Sequence, residues 1–206
     1  MTYSYRIEQA IRAAAILHKH QVRRGKVPYP YVTHLYSVAT LVSEYTDDED
    51  TLIAALLHDT LEDTDYTETE LASDFGASVA DIVRELTHTV GTAAERDNVW
   101  ANSWKARHTR YIAQLKTASE QALIVSAADK IHNLRSIVEE YLDDHLRFNE
   151  DFGGTLDERL AHFQAISNIL NTRLKSAIVE EFNQVFDQYK DFIHAAKKTI
   201  DAHDAV

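Results

Sequence analysis

The chain contains no cysteine, so disulfides and thiolate catalysis are excluded, and any metal site must be built from histidine nitrogen and carboxylate oxygen. A structural zinc ribbon or finger falls with them. Breakers are scarce too: five glycines and two prolines, Pro28 and Pro30, interrupt 206 residues, so long helices joined by short loops are expected. No apolar run is long enough to span a bilayer, and the opening MTYSYRIEQA lacks the basic region, apolar run and cleavage site of a secretory signal. A cytoplasmic protein without a membrane partner is the expectation. Positive charge is in deficit, with 21 Lys and Arg against 33 Asp and Glu and a formal net charge of −12, which repels nucleic acid and anionic lipid at long range. The local exception is Arg23, Arg24 and Lys26, a patch able to take a small anion.

What is present reads as a foldable helical chain. Hydrophobic residues make up 45% and charged residues 26%, a balance typical of globular proteins. Apolar residues recur at helical spacing from Tyr5 to about Gln21 (Ile7, Ile11, Ala14, Ala15), and Arg-Arg-Gly-Lys follows as a stop signal. Thr33 stands where the N-cap of a second helix would, with Val38, Leu41 and Val42 as its apolar face. Asp47, Asp48, Glu49 and Asp50 mark the start of a third, largely apolar helix ending in His58 and Asp59. Further helical stretches run from Thr69 to Thr89 with a break at Gly76, from about Asn98 to Ala118, from Glu120 to Tyr141, and through Leu156 to Ala202. The last of these carries no chemistry of its own, and its apolar aromatic positions fit either intramolecular packing or the interface of a helical homo-oligomer.

Chemistry concentrates where the apolar pattern is broken. After Ala54-Ala55-Leu56-Leu57 the chain presents His58-Asp59-Thr60-Leu61-Glu62-Asp63-Thr64. Burying adjacent carboxylates without a compensating cation costs several kcal/mol or forces protonation, and a divalent metal would supply that cation. If the helix continues, His58 lies below Glu62 and Asp59 below Asp63, one turn apart, so the first layer can ligate while the second handles water and protons. A second break follows Ile124-Val125-Ser126-Ala127-Ala128, where Asp129 precedes Lys130, His132 and Asn133. Asn133 projects one turn beyond Asp129, as Glu62 does beyond His58. His132 and His18 are expected in supporting or structural roles, and the remaining histidines at the surface or hydrogen-bonded in the core.

These residues resemble a known family. His34, the pair His58-Asp59 and the later Asp129 are similar to the H…HD…D signature of the HD superfamily of metal-dependent phosphohydrolases. The strings His18-x-x-Gln21-x-Arg23-Arg24, Pro30-Tyr31-x-x-His34, Ala55-Leu56-Leu57-His58-Asp59-x-x-Glu62-Asp63-Thr64 and Ala128-Asp129-Lys130-x-x-Asn133-Leu134-Arg135 resemble more narrowly the hydrolase domain of RelA/SpoT proteins and the single-domain small alarmone hydrolases. The resemblance covers roughly residues 5 to 140. It implies an all-α HD-domain helical bundle over residues 1–150, with C-terminal helices over 151–206 packed on it or forming an oligomer interface. It also implies that His34, His58, Asp59 and Asp129 bind one manganese ion and that Glu62 and Asp63 orient or activate water. Arg23 and Arg24 would meet the guanine base or its phosphates, and Lys130 and Asn133 the nucleotide. The implied reaction removes the 3′-pyrophosphate of ppGpp or pppGpp to give GDP or GTP, with the phosphate of another nucleotide as the alternative substrate and a non-catalytic nucleotide sensor as the alternative of a different class. The chain departs from the family pattern at Leu35, in place of a proline after the first metal histidine, and at Ser126, where many relatives carry a basic residue.

Overall fold

A computed structural model describes residues 3–25, 27–87 and 104–205. The described residues form helices and no strand, as expected of an all-α chain: α1 (Tyr5–Leu17), α2 (Val32–Val42), α3 (Glu49–Leu57), α4 (Thr60–Asp63), α5 (Glu68–Phe75), α6 (Ala77–Leu86), α7 (Trp104–Leu115), α8 (Glu120–Tyr141), α9 (His145–Asp151), α10 (Leu156–Arg173) and α11 (Ile178–Asp204). None of these helices is long and apolar enough to cross a membrane. Lys26 and the segment 88–103, where one helical stretch is expected to end and another to begin, lie outside the described residues.

Local signals set most boundaries. Ser4, Asp48 and Ser119 each accept a backbone N–H of the first turn of the helix they precede, while Thr67 and Thr155 build reciprocal capping boxes with Glu70 and Glu158. Gly76, at φ 95°, separates α5 from α6 as expected, because few other residues tolerate that backbone. Two expectations are corrected. The first helix stops at Leu17 instead of about Gln21, because the His18 imidazole bonds the Gln21 carboxamide at 2.7 Å and the chain turns there. Thr33 is not an N-cap: α2 begins at Val32 after Tyr31, and the Thr33 hydroxyl donates back to the Pro30 carbonyl at 2.8 Å.

The centre of the bundle is α3, buried from Thr51 to Leu57, and it packs against α1, α2, α6 and α8. A core helix apolar on every side is what such a position demands. The long α8 runs beside it and is covered on its other flank by α11, which inserts Ile178, Phe182, Val185, Phe186, Tyr189 and Phe192. Each fully buried aromatic or aliphatic side chain of this kind contributes about 1.5–3 kcal/mol. Helix α10 lies against α7 and α11. Between α1 and α2 the chain folds back on itself: Arg23 N–H bonds the Tyr29 carbonyl at 3.0 Å and Tyr31 N–H the Gln21 carbonyl at 2.9 Å. This loop presents Arg23 and Arg24 and returns the chain directly to His34.

Candidate active site

Three helical segments bring the ligand-type residues together. His34 lies in the first turn of α2, His58 and Asp59 form the turn after α3, and Asp129 projects from the middle of α8. One ligand atom each from His34, His58 and Asp59 falls within 4.8 Å of the others. Asp129 reaches the same point, its Oδ1 3.2 Å from His34 Nε2 and 3.7 Å from His58 Nε2. The structure thus gathers all four residues expected as ligands.

The third helix ends at His58 and Asp59, as expected, and does not run on unbroken to Glu62 and Asp63. Side chains take over the last carbonyls of α3: His58 Nδ1 bonds the Ala55 carbonyl at 2.8 Å, and the Thr60 hydroxyl donates to that of Leu57 at 2.6 Å. The backbone turns at His58-Asp59 before α4 starts. Glu62 and Asp63 keep their place nonetheless, since Asp63 N–H bonds the Asp59 carbonyl at 2.9 Å. Both are exposed and line a cleft of about 140 Å³ together with His58, Asp59 and Asp129.

The charged groups of this cluster act strongly on one another. Burial opposes ionising Asp129, yet Lys130, with Nζ 2.5 Å from Oδ2, and the two histidines hold its carboxyl well below the usual range. Asp59 is likewise lowered against its burial, chiefly by His58. Burial lowers the pKa of His34, whereas at His58 the acids Asp59 and Asp129 overcome burial and push it up to about 9. A cluster that draws in a proton this strongly also attracts a metal cation.

The donor set fits such an ion. A carbonyl can only accept, so the Ala55 contact holds the proton of neutral His58 on Nδ1 and leaves its Nε2 lone pair facing the cluster. That Nε2 is buried without a hydrogen-bond partner, although Asp59 Oδ2 lies 3.2 Å away. Two imidazoles and two carboxylates suit borderline-to-hard divalent cations. Around them, the Tyr31 hydroxyl donates to Asp59 Oδ2 at 2.6 Å, and Asn133 Nδ2 donates to Asp129 Oδ1 at 2.6 Å. Burial, reinforced by Asp59, raises the Tyr31 pKa so that it remains a donor. His34 Nδ1 meets His132 Nδ1 at 2.9 Å. The His132 pKa is lowered to about 4, first by burial and then by His34.

A second cavity of about 360 Å³ adjoins the cleft, with Tyr31, Lys130 and Asn133 lining both. Of the residues expected to meet substrate, Arg23 is turned inward: its Nη2 donates to Asn133 Oδ1 at 2.9 Å, and its guanidinium stands 5.6 Å from the Tyr31 ring. Arg24 lines the cavity from its rim and donates to the Asp151 carbonyl. Lys130 is held charged by Asp129 in spite of burial.

Sequence reasoning missed the far wall. Arg159 of α10 is 3% exposed and lines the cavity. It donates to the carbonyls of Gly153, Asn149 and Phe152, yet among the described residues Nη1 has no partner and no carboxylate pairs with it. Burial lowers its pKa from the usual arginine value. The signal was available: Arg159 falls on the apolar stripe Leu156, Phe163, Ile166, Leu170, where a charge is out of place. Beside it Trp104 stacks on His108 at 3.7 Å, and His162 meets His108 edge-on. Gly154, at φ 76°, lies so close that a Cβ there would come within 2.9 Å of the Trp104 ring.

Comparison with known proteins finds similar chains. A sequence profile described as "HD domain" matches residues 10–150. A zebrafish (Danio rerio) protein named guanosine-3′,5′-bis(diphosphate) 3′-pyrophosphohydrolase MESH1 is 38% identical over 133 residues, which are 63% of this chain and 67% of that protein. The Drosophila melanogaster protein of the same name is 29% identical over 90% of this chain and 95% of its own. A Mycobacterium leprae protein named probable GTP pyrophosphokinase is 33% identical over 64% of this chain, which spans only 16% of that longer relative. A solved structure described as a metazoan ortholog of SpoT that hydrolyzes ppGpp superimposes with a TM-score of 0.69 at 28% identity, covering 91% of this chain and 97% of that one.

Proposed function

The chain belongs to the HD-domain family, and from that premise we propose that it is a cytoplasmic, manganese-dependent hydrolase that removes the 3′-pyrophosphate of ppGpp or pppGpp. The observation that carries this reading is the junction of two sites: a cluster of two histidines and two carboxylates opening onto a cavity whose wall holds a buried guanidinium with no acid partner among the described residues. The relatives named as 3′-pyrophosphohydrolases support the substrate.

His34, His58, Asp59 and Asp129 would hold the ion. When bound, a divalent ion supplies positive charge against phosphoryl oxygens and lowers the pKa of a water. The chain's own residues do the rest. Glu62 and Asp63, at the mouth of the cleft, orient the attacking water and take its proton. That water adds to the phosphorus next to the ribose 3′-oxygen; the bond between them breaks, the 3′-oxygen gains a proton, and pyrophosphate leaves without a covalent enzyme intermediate. Lys130 and Arg23 face the remaining phosphates as charge-assisted donors, and Asn133, already tied to both Asp129 and Arg23, positions the nucleotide sugar.

The deciding experiment incubates manganese-loaded protein with ppGpp, pppGpp and a panel of nucleoside 2′-, 3′- and 5′-phosphates and resolves the products. Pyrophosphate with GDP or GTP is expected, and Glu62→Gln should keep metal while losing at least ~100-fold in turnover. Release of single phosphate, or cleavage of a different nucleotide alone, would overturn the substrate and leave the metal site standing.

A further inference from the structure

We propose that His132 is a positioning residue for the metal centre: it accepts the Nδ1 proton of His34 and so fixes the His34 tautomer whose Nε2 lone pair faces the carboxylates. The inference rests on the reading of His34 as a ligand. The contact is imidazole to imidazole, His34 Nδ1 to His132 Nδ1 at 2.9 Å, with ring centroids 4.8 Å apart and planes tilted by 55°. Two neutral rings can meet nitrogen to nitrogen at this distance only if one donates and the other accepts. The other end of His34 decides which. Its Nε2 lies 3.2 Å from Asp129 Oδ1 and 3.7 Å from Asp59 Oδ2, so a ligand there needs its lone pair on Nε2 and its proton on Nδ1. His132 is therefore the acceptor, with its own proton on Nε2.

The two histidines of the cluster are consequently held in the same tautomer by different means. His58 Nδ1 bonds the backbone carbonyl of Ala55, which no substitution deletes. His34 depends on a side chain, since it is 1% exposed and His132 Nδ1 is the hydrogen-bond partner at its Nδ1. Metal-bound histidines almost always donate their other ring proton to a carboxylate, carbonyl or water. A neutral imidazole in that place orients the ring without adding a further negative charge to a centre that already holds two carboxylates. His132 reaches this position because it sits three residues beyond Asp129 on α8, while its other flank lines a surface depression with Tyr36, Thr40 and Arg135, away from the substrate cavity.

The test compares His132→Phe, which keeps a ring but no acceptor, with His132→Asn, whose carboxamide oxygen occupies the place of Nδ1. Manganese affinity of the whole protein is measured by chelator competition, with thermal unfolding of the metal-free forms alongside. A loss of roughly 10- to 100-fold is expected for His132→Phe, with His132→Asn restored to within a few-fold of wild type. Equal affinity in wild type and His132→Phe, or an equal loss in both variants, would overturn the proposal. If His132→Phe does not fold, nitrogen-15 imidazole spectra of the wild-type protein loaded with a diamagnetic divalent ion decide it: His34 protonated on Nδ1 supports the assignment, and protonation on Nε2 ends it. A wild type that binds metal but leaves ppGpp intact would instead sink the proposed substrate and leave His132 unaffected.

Discussion

Single side chains carry unequal weight here, and Arg159 shows why. Among the described residues no carboxylate meets this buried guanidinium, which costs solvation that three backbone carbonyls only partly return, so the site gains most when an anion arrives at Nη1. Arg159→Lys supplies one compact charge and loses the planar fork; it should raise KM for the tetraphosphate by ~10-fold or more with a smaller change in kcat, read from steady-state kinetics. An unchanged KM would remove Arg159 from substrate binding. Asp59→Asn tests the other half of the site, because an amide replaces the anionic oxygen that lies 3.2 Å from His58 Nε2. Manganese retention through gel filtration should fall to background while the helical circular dichroism remains. Unaltered retention would mean that Asp59 is not a ligand.

Elements rather than residues decide how those side chains meet. Helix α8 is the frame, since from one stretch it supplies Asp129, Lys130, His132 and Asn133, and its start is fixed by Ser119, whose backbone N–H and hydroxyl also donate to Glu85 of α6 at 2.7 and 2.6 Å. Ser119→Ala removes the cap and one of those bonds, and should cost about 1–2 kcal/mol in urea unfolding; a change below a few tenths would show that the junction is held by packing alone. The limits of α8 were legible in the sequence, Glu120 to Tyr141, because cap and apolar pattern agree there. The end of α1 and the start of α2 were not, because their boundaries depend on His18 bonding Gln21 and Thr33 bonding Pro30, which the hydrophobic period does not encode. The four ligand-type residues stood out as acids and histidines intruding on apolar runs, and the family resemblance placed Arg23 and Asn133 with them. The partnership of His34 with His132, and the convergence of Arg159 on the same space from α10, depend on helix crossings that no local pattern records.

For the whole molecule, the site and the fold are thermodynamically linked. An ion that binds only the folded chain at a hundred times its Kd adds about 2.7 kcal/mol to stability. Chelation should therefore lower Tm by several degrees in differential scanning calorimetry, and restoring manganese should recover it; a Tm indifferent to both would argue against any resident ion. Core truncation gives the opposite control. Phe186→Ala, on α11 and 2% exposed, should cost ~3–5 kcal/mol while leaving the metal affinity of the still-folded fraction intact.

The contacts that close the site also span most of the chain: His34 pairs with His132 across 98 positions, Arg23 with Asn133 across 110, and Arg24 reaches Asp151 across 127. A ribosome adding roughly 5–20 residues per second thus works for many seconds on a chain that already carries Arg23, His34, His58 and Asp59 but has no α8 or α10 to gather them. Nascent chains arrested before Asp129 should be inert, and the birth of the site should be a late, single event in synthesis.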